Sequence, residues 1–281
     1  MVINTNISSL TAQEAAKNTN NSLSTSLEKL SSGLKINKAS DDASGLAIAD
    51  KLRTQATSIN QGVDNGNSAV TLLQIADKSM SEQSTILDTI KAKLIQANTD
   101  TTSTDGRKAI AGDVKKLLEQ LNNISKQTNY NGRQLIGSTS GVSSASAQNF
   151  QIGEKATDTI KTTAITANTT GLSLTTLATA VAGGTMSKGN ASTAQTAVND
   201  AINTLNGFRG DIGSTQNQVE SAVRNLMTQA TNVKAAESII RDVDYAAESA
   251  NFNKQNIISQ AGSYAISQAN AVQQNVLRLL Q

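Results

Sequence analysis

Asp41 and Asp42 are two neighbouring carboxylates, the side-chain type that general acid–base catalysis uses. They follow the loop-like segment Asn37-Lys38-Ala39-Ser40 and precede a helical pattern. Ser40 or either aspartate also suits a helix N-cap, where an acidic group faces the positive end of the helix dipole. We therefore interpret the pair as the start of a helix rather than as an active site.

Other candidate chemistries are weaker still. The chain has no His and no Cys, which excludes a Ser-His-Asp triad, a Cys-His pair and the common zinc sites. Gly183-Gly184 with Lys188-Gly189 lacks the spacing of a phosphate-binding loop, and no Ser or Thr follows the lysine. Asn190-Ala191-Ser192 is a glycosylation sequon, a common pattern that we read as an ordinary loop. The sequence predicts no enzyme, no metal site and no cofactor.

A segment rich in Ser and Thr could carry O-linked sugar, although a plain solvated loop is the favoured interpretation. Its candidate acceptors are Ser138, Thr139, Ser140, Ser143 and Ser144.

The composition indicates long helices. The 281 residues are 37% hydrophobic but only 2% aromatic, and they include no Pro. Aromatic rings normally dominate a globular core, so a core of Leu, Ile, Val and Ala fits narrow contacts between helices. With 24 basic against 22 acidic residues, the net charge of +2 argues against a nucleic-acid partner.

Apolar residues at helical spacing predict three long helices within the chain. The first covers about 42–97 and has an apolar seam interrupted by Gln83, the second covers about 107–127, and the third begins near Val198. Their apolar positions are Leu73, Ala76, Met80, Leu87, Ile90 and Leu94; Ile110, Val114, Leu117, Leu121 and Ile124; and Val198, Ile202, Leu205, Ile212, Val219, Val223, Leu226, Ala230 and Val233.

The middle of the chain, residues 137–189, is rich in Ser, Thr, Ala and Gly. Tyr130-Asn131-Gly132 is a strong turn signal, and short alternating stretches around Phe150 and Ile160 favour a small β-element over a disordered linker. Residues 183–192 are expected to form an exposed loop. The predicted fold class is mainly α: a long coiled-coil-like rod with paired terminal helices and a small β-hairpin element mid-chain.

Both ends of the chain are uncharged helical segments. Residues 255–277 and 1–13 contain no charged side chain, yet each has apolar residues at helical spacing. A solvated helix usually carries charge on its outer face, and a membrane span needs roughly 20 mostly apolar residues. We therefore expect both ends to pack on two sides within an assembly, without a membrane.

The start of the chain, MVINTNISS, lacks the basic and apolar regions of a Sec signal peptide. By that test alone the protein looks cytoplasmic.

Several collinear stretches resemble bacterial flagellins. They are MVINTNISSLTAQ at the start, SLEKLSSGLKINKASDDASGLAIADKLR at 26–53, QTNYNGRQLI at 127–136, and ESIIRDVDYAAESANFNKQNIISQAGSYAISQAN at 237–270, followed by VLRLLQ. Their order and length make the resemblance specific, and the pattern at Thr89, Lys93 and Asp113 resembles flagellins of the epsilon-proteobacterial kind.

The resemblance implies a subunit of the extracellular flagellar filament, the helical propeller for swimming. Residues 1–39 and 241–281 would form the inner filament core, and 40–177 with 194–240 the surrounding rod. A short exposed loop, 178–193, would replace the large outer domains of the family. The implied partners are further copies of the chain, hook-associated junction and cap proteins, and a cytosolic export chaperone on the C-terminal tail. Type III export, which needs no Sec signal peptide, would carry the protein out of the cytoplasm.

The terminal helices are expected to fold on assembly by burying apolar side chains between subunits. The predicted subunit contacts are Val2, Ile3, Ile7, Leu10, Leu23, Leu27, Leu30, Leu34, Ile257, Ile258, Ala261, Tyr264, Ala265, Ile266, Val272, Val276, Leu277, Leu279 and Leu280.

Two departures from the family pattern matter. No Pro follows Val272, so we expect an uninterrupted last helix. Where an innate immune receptor relies on an Arg, a Leu and a Glu of many flagellins, this chain has Thr89, Lys93 and Asp113. We predict weak receptor activation. The alternatives are a hook–filament junction protein of the same superfamily and a secreted coiled-coil adhesin.

Overall fold

A computed structural model describes residues 5–137, 147–184 and 186–279, with side chains described as far as Val272. The elements, in chain order, are α1 (Ile7–Ser32), α2 (Ala43–Asn98), α3 (Thr104–Gln127), β1 (Asn129–Tyr130), β2 (Arg133–Gln134), β3 (Asn149–Gln151), β4 (Thr159–Lys161), α4 (Thr175–Ala182), α5 (Lys188–Arg241) and α6 (Tyr245–Leu279). The predicted fold class, mainly α with a small β-element, is confirmed.

The chain divides into two compact units. The first contains Met1–Ala56 and Thr231–Gln281, and the second contains Thr57–Ala230. Both boundaries fall inside a long helix, α2 or α5. The predicted division at residues 39/40 and 240/241 concerns positions within a filament, and it stays a prediction.

Polar side chains and a glycine set the helix boundaries in the first unit. The Asn6 side chain accepts a hydrogen bond from the Ser9 N–H at the start of α1. The Asp42 carboxylate accepts one from the Gly45 N–H at 2.9 Å, so Asp42 is a helix cap, as predicted. Gly33, with a φ of 73°, ends α1, because this left-handed conformation suits glycine. Leu34, one of the predicted subunit contacts, therefore lies beyond the end of α1.

The core of the second unit is built largely from the apolar positions that the sequence predicts. Met80, Leu87, Ile90 and Leu94 of α2 are fully buried, together with apolar residues of α3 and α5. Gln83 is buried among them, and its Nε2 donates to the carbonyls of Leu121 at 3.1 Å and of Ala167 at 2.8 Å. This amide therefore connects α2 to α3 and to the loop before α4.

Two short antiparallel hairpins confirm the predicted β-element. β1 pairs with β2 around Asn131 and Gly132, whose φ angles of 51° and 78° are those of a type I′ turn. β3 pairs with β4, with Phe150 opposite Ile160.

The expected exposed loop at 178–193 is largely helical instead. Residues 178–182 complete α4, and α5 begins at Lys188. Val181 of α4, Ala191 of α5 and Met186 between the two helices are buried, although the Gly, Ser and Thr content of the stretch resembles that of a loop. Only a short connection separates α4 from α5.

Candidate assembly surface

In the first unit, α1 and α6 pack side by side and run antiparallel. Three contacts show the order: Asn6 Nδ2 donates to the Ala269 carbonyl at 3.0 Å, Ser259 Oγ to Asn20 Oδ1 at 2.9 Å, and Ser26 Oγ to Glu248 Oε1. Residue numbers rise along one helix as they fall along the other.

The surface between the two helices, here called the seam, has a heptad pattern of three and four residues. Its buried or half-buried members are Ser9, Ala12, Ala16, Thr19, Leu23, Ser26 and Leu30 of α1, and Glu248, Phe252, Gln255, Ser259, Gly262, Ile266 and Ala269 of α6. Most of these side chains are small or polar. A Cβ built on Gly262 would lie only 3.7 Å from Ala16 Cβ, which brings the helices close together.

Seven of the described large apolar side chains of the pair point away from the seam. We call these residues the outer face: Ile7, Leu10, Leu27, Ile257, Ile258, Tyr264 and Val272, all exposed. Ile257 and Tyr264 are 67% and 74% exposed and lie seven residues apart, on one side of α6. Most seam side chains are small or polar, with Leu23, Leu30, Phe252 and Ile266 as the large apolar exceptions, whereas the outer face is apolar. A soluble monomer rarely exposes such a surface without a partner for it.

Backbone hydrogen bonds close the base of the pair, where α1 and α6 join the rest of the unit. Lys35 N–H donates to the Arg241 carbonyl at 2.7 Å, and Val243 N–H to the Gly33 carbonyl at 3.0 Å. Arg241 also lies 3.7 Å from the carboxylate of Asp50. These contacts fix the antiparallel register at the base.

The structure separates the predicted subunit contacts into groups. Leu23, Leu30 and Ile266 are half-buried in the seam. Ala261 and Ala265 are exposed beside the outer face. Val2, Ile3 and Leu280 lie outside the described residues, and Val276, Leu277 and Leu279 lie in the part of α6 whose side chains are not described. Contacts between subunits therefore stay a prediction for the whole set. The candidate glycosylation residues Ser138, Thr139, Ser140, Ser143 and Ser144 also lie outside the described residues.

Sequence reasoning predicted that the terminal helices pair and included Leu23 and Leu30 among their contacts, but it missed the Ser, Ala, Gly and Thr positions of the seam, which hydrophobic periodicity does not detect. The signal that could have found them is the spacing of small residues, such as Ala12, Ala16 and Thr19, in an uncharged helix.

A pair of engineered cysteines tests the seam directly. Disulfides form when two Cβ atoms lie about 3.8 Å apart, so Ala16→Cys with Gly262→Cys should oxidise readily to an intrachain bridge under polymerising conditions, in which the terminal helices are ordered. The chain has no native Cys to compete. Mobility on a non-reducing gel measures the result. Ala16→Cys with Ala265→Cys, which is exposed on another side of α6, is the control. Equal bridging of both variants would contradict the register.

The predicted receptor region contains an ion pair in the second unit. Lys93 Nζ lies 2.9 Å from Asp113 Oδ2, and this hydrogen bond lowers the pKa of Asp113 below its ordinary value. Thr89 Oγ1 donates to the Thr85 carbonyl. The three residues thus make contacts within the chain, and Lys93 has its charge balanced by Asp113.

Groups suited to catalysis are scarce in the part of the chain that the structure describes. It contains no cluster of three or more potential metal ligands, and none of its helices is long and apolar enough to cross a bilayer. Long paired helices with an apolar outer face define a structural protein.

Comparison with known proteins gives the family. A family model of the bacterial flagellin N-terminal helical region matches residues 3–141, and a model of the C-terminal helical region matches residues 195–280. Flagellin of Bacillus subtilis is 35% identical over the full length of both chains. The flagellar filament 33 kDa core protein of Treponema phagedenis is 32% identical, also over both full lengths. The chain belongs to the bacterial flagellin family.

Other relatives match in part. Flagellin B of Helicobacter pylori is 48% identical over 159 residues, which are 57% of this chain and 30% of that protein. The crystal structure of Bacillus cereus flagellin has a TM-score of 0.50 at 25% identity, covering 62% of this chain and 94% of that one. A putative flagellar hook-associated protein from Vibrio parahaemolyticus shares the fold alone, at 12% identity and a TM-score of 0.60. Flagellins are structural proteins of the extracellular filament, which confirms the prediction that the chain is not an enzyme.

Proposed function

We propose that the chain polymerises into the flagellar filament by burying the outer face of the α1–α6 pair between subunits. The observation that carries this proposal is the exposure of Ile7, Leu10, Ile257 and Tyr264 on helices whose own seam is mostly small or polar. Burial of one such side chain contributes about 1.5–3 kcal/mol. A few of them supply enough free energy to hold neighbouring subunits together.

The outer face of one pair contacts a different surface of the next subunit. A head-to-tail contact of this kind, when its rotation does not close a ring, generates a helical filament. In this proposal residues 1–39 and 241–281 form the inner core of the filament, and 40–177 with 194–240 form the rod around it. The family resemblance implies an exposed loop at 178–193 in place of outer domains. In the structure, residues 178–182 of this segment end α4 and residues 188–193 begin α5.

Family membership supports the remaining parts of the proposal. The chain is secreted through the flagellar type III apparatus, a cytosolic chaperone covers its C-terminal tail before export, and hook-associated junction and cap proteins contact the two ends of the polymer. The apolar outer face is a surface that a chaperone would need to cover in the cytosol.

Polymerisation of the purified chain tests the proposal. The intact chain and a chain truncated after Asn251, which lacks most of α6, are compared by electron microscopy and circular dichroism. We expect filaments and a rise in helix content only for the intact chain, because ordering of the terminal helices is coupled to burial. If the intact chain stays monomeric, without a rise in helix content, the proposal fails.

Weak activation of the innate immune receptor is a separate prediction. Thr89 and Lys93 replace a guanidinium and an apolar anchor, the groups that dominate many interfaces. The combined change Thr89→Arg, Lys93→Leu and Asp113→Glu should raise the response of receptor-reporter cells to purified monomer by about tenfold or more. Lys91→Leu, on the same helix, is the control. A strong response to the unmodified chain would contradict the prediction.

A further inference from the structure

The chain contains three Asn-Gly pairs: Asn65-Gly66, Asn131-Gly132 and Asn206-Gly207. The first lies inside α2 and the third inside α5, whereas the second forms the tip of the β1–β2 hairpin. Asn-Gly is a chemically reactive pair because glycine leaves its own backbone nitrogen unobstructed. The three pairs share one sequence but have three different surroundings.

We propose that Asn131 is the preferred site of spontaneous deamidation in this protein. The backbone nitrogen of Gly132 attacks Cγ of Asn131, a new N–C bond closes a five-membered succinimide, and the Cγ–Nδ2 bond breaks. The proton lost from the Gly132 nitrogen leaves with the side-chain nitrogen as ammonia. Water then opens either carbonyl of the ring, which yields aspartate or isoaspartate at position 131.

Availability of the attacking nitrogen distinguishes the three pairs. Within α2 and α5 the Gly66 and Gly207 N–H groups lie in helix interiors, where each donates to the carbonyl four residues earlier. Among the described residues no acceptor is found for the Gly132 N–H. No heavy atom beyond its chain neighbours lies within 4 Å of a Cβ built on Gly132, so the space around this glycine is open.

The side-chain amides differ as well. Asn65 Nδ2 donates to the Gln151 carbonyl at 3.0 Å, and Asn65 Oδ1 accepts from Gln61 Nε2 at 3.1 Å. Asn131 is exposed, and so is Asn206. Exposure of the side chain therefore does not separate Asn131 from Asn206, and the difference between those two rests on the backbone.

Ring closure needs the Gly132 nitrogen to approach Cγ, which requires the turn to open. The hairpin makes this easy because its ladder has only two residue pairs, Asn129 with Gln134 and Tyr130 with Arg133. Short ladders at exposed tips open at low free energy, whereas opening the middle of a long helix breaks several hydrogen bonds at once.

Deamidation changes a defined surface of the second unit. Asn131 lines a groove of about 380 Å³ together with Arg133 and the half-buried rings of Tyr130 and Phe150. A carboxylate at position 131 adds a negative charge to a groove that Arg133 also lines, and it lowers the formal net charge of +2 by one unit. Isoaspartate adds a methylene group to the backbone, which no longer fits a two-residue turn.

The test compares the three sites within one sample. The purified full-length chain is incubated at mildly alkaline pH, digested, and analysed by mass spectrometry for conversion of each asparagine. A second sample is incubated in concentrated urea. In the folded chain we expect Asn131 to convert about tenfold faster than Asn65 and Asn206, and in urea we expect the three rates to converge.

Two results would overturn the inference. Equal rates in the folded chain would show that the helices give no protection. A preference for Asn131 that persists unchanged in urea would show that neighbouring sequence, and not the hairpin, sets the rate. The inference is supported if Asn131 converts fastest in the folded chain and the three conversion rates become equal in urea. This outcome does not depend on whether the sample forms filaments.

Discussion

Replacing Ile257 and Tyr264 by glutamine should abolish filament formation at concentrations at which the parent chain polymerises. Both side chains belong to the outer face and are mostly exposed in the single chain, so their removal does not disturb the seam. Glutamine is a good helix former and matches the uncharged polar residues around it. The monomer should therefore keep the helix content of the parent.

The size of the effect follows from the buried area. Loss of two large side chains from each subunit contact removes about 3–5 kcal/mol, and each 1.4 kcal/mol corresponds to about tenfold in concentration. The critical concentration for polymerisation should rise by roughly a hundredfold or more. Sedimentation of polymer across a concentration series measures it.

A matched control uses exposed amides of the same helix. Asn253→Gln with Gln260→Asn changes two exposed polar side chains and removes no apolar area, so this variant should polymerise at the parent concentration. Normal filaments from the Ile257→Gln, Tyr264→Gln variant would place the subunit contact on another surface.

The second large effect concerns Gly62 in α2. A Cβ at this position would lie 2.0 Å from the backbone oxygen of Ile152, so Gly62→Ala forces backbone apart in the second unit. Substitution of Gly by Ala normally stabilises a helix interior by about 0.5–1 kcal/mol. Here overpacking turns this stabilisation into a destabilisation. We expect the free energy of unfolding to fall by about 1–3 kcal/mol.

Gly112→Ala is the control for this prediction. Gly112 lies in α3 with no heavy atom near the added Cβ, so its substitution should stabilise by the ordinary helical increment. Urea denaturation of the monomer, followed by circular dichroism, measures both variants. Equal stabilisation of both would mean that Ile152 moves freely away from α2.

Much of the second unit could be predicted because its helices bury large aliphatic residues at regular spacing. Examples are the apolar positions Leu73, Met80 and Leu94 of α2 and the turn at Asn131-Gly132. The close approach of Ile152 to Gly62 could not be predicted, since it depends on where a hairpin from a distant part of the chain packs.

For the terminal helices, the sequence predicts the exposed apolar side of α6 better than the side that contacts α1. Periodicity in α6 predicts one apolar set of Ile258, Ala261, Ala265, Val272, Val276 and Leu279. The structure describes the side chains of the first four, and these are exposed in the single chain. The pattern thus detected the side of α6 that faces away from α1. The partner face, with Ser259 and Gly262, carries too little hydrophobicity to be detected.

The small residues of the seam also set the distance between α1 and α6. The axes of packed helices lie about 8–10 Å apart depending on the side chains at the contact, and Ala and Gly allow a closer approach than Leu does. With Ala16 against Gly262, the α1–α6 pair is thin in the direction that joins its two axes. A larger side chain at either position would push the two helices apart and change the spacing between the exposed apolar side chains of α1 and those of α6.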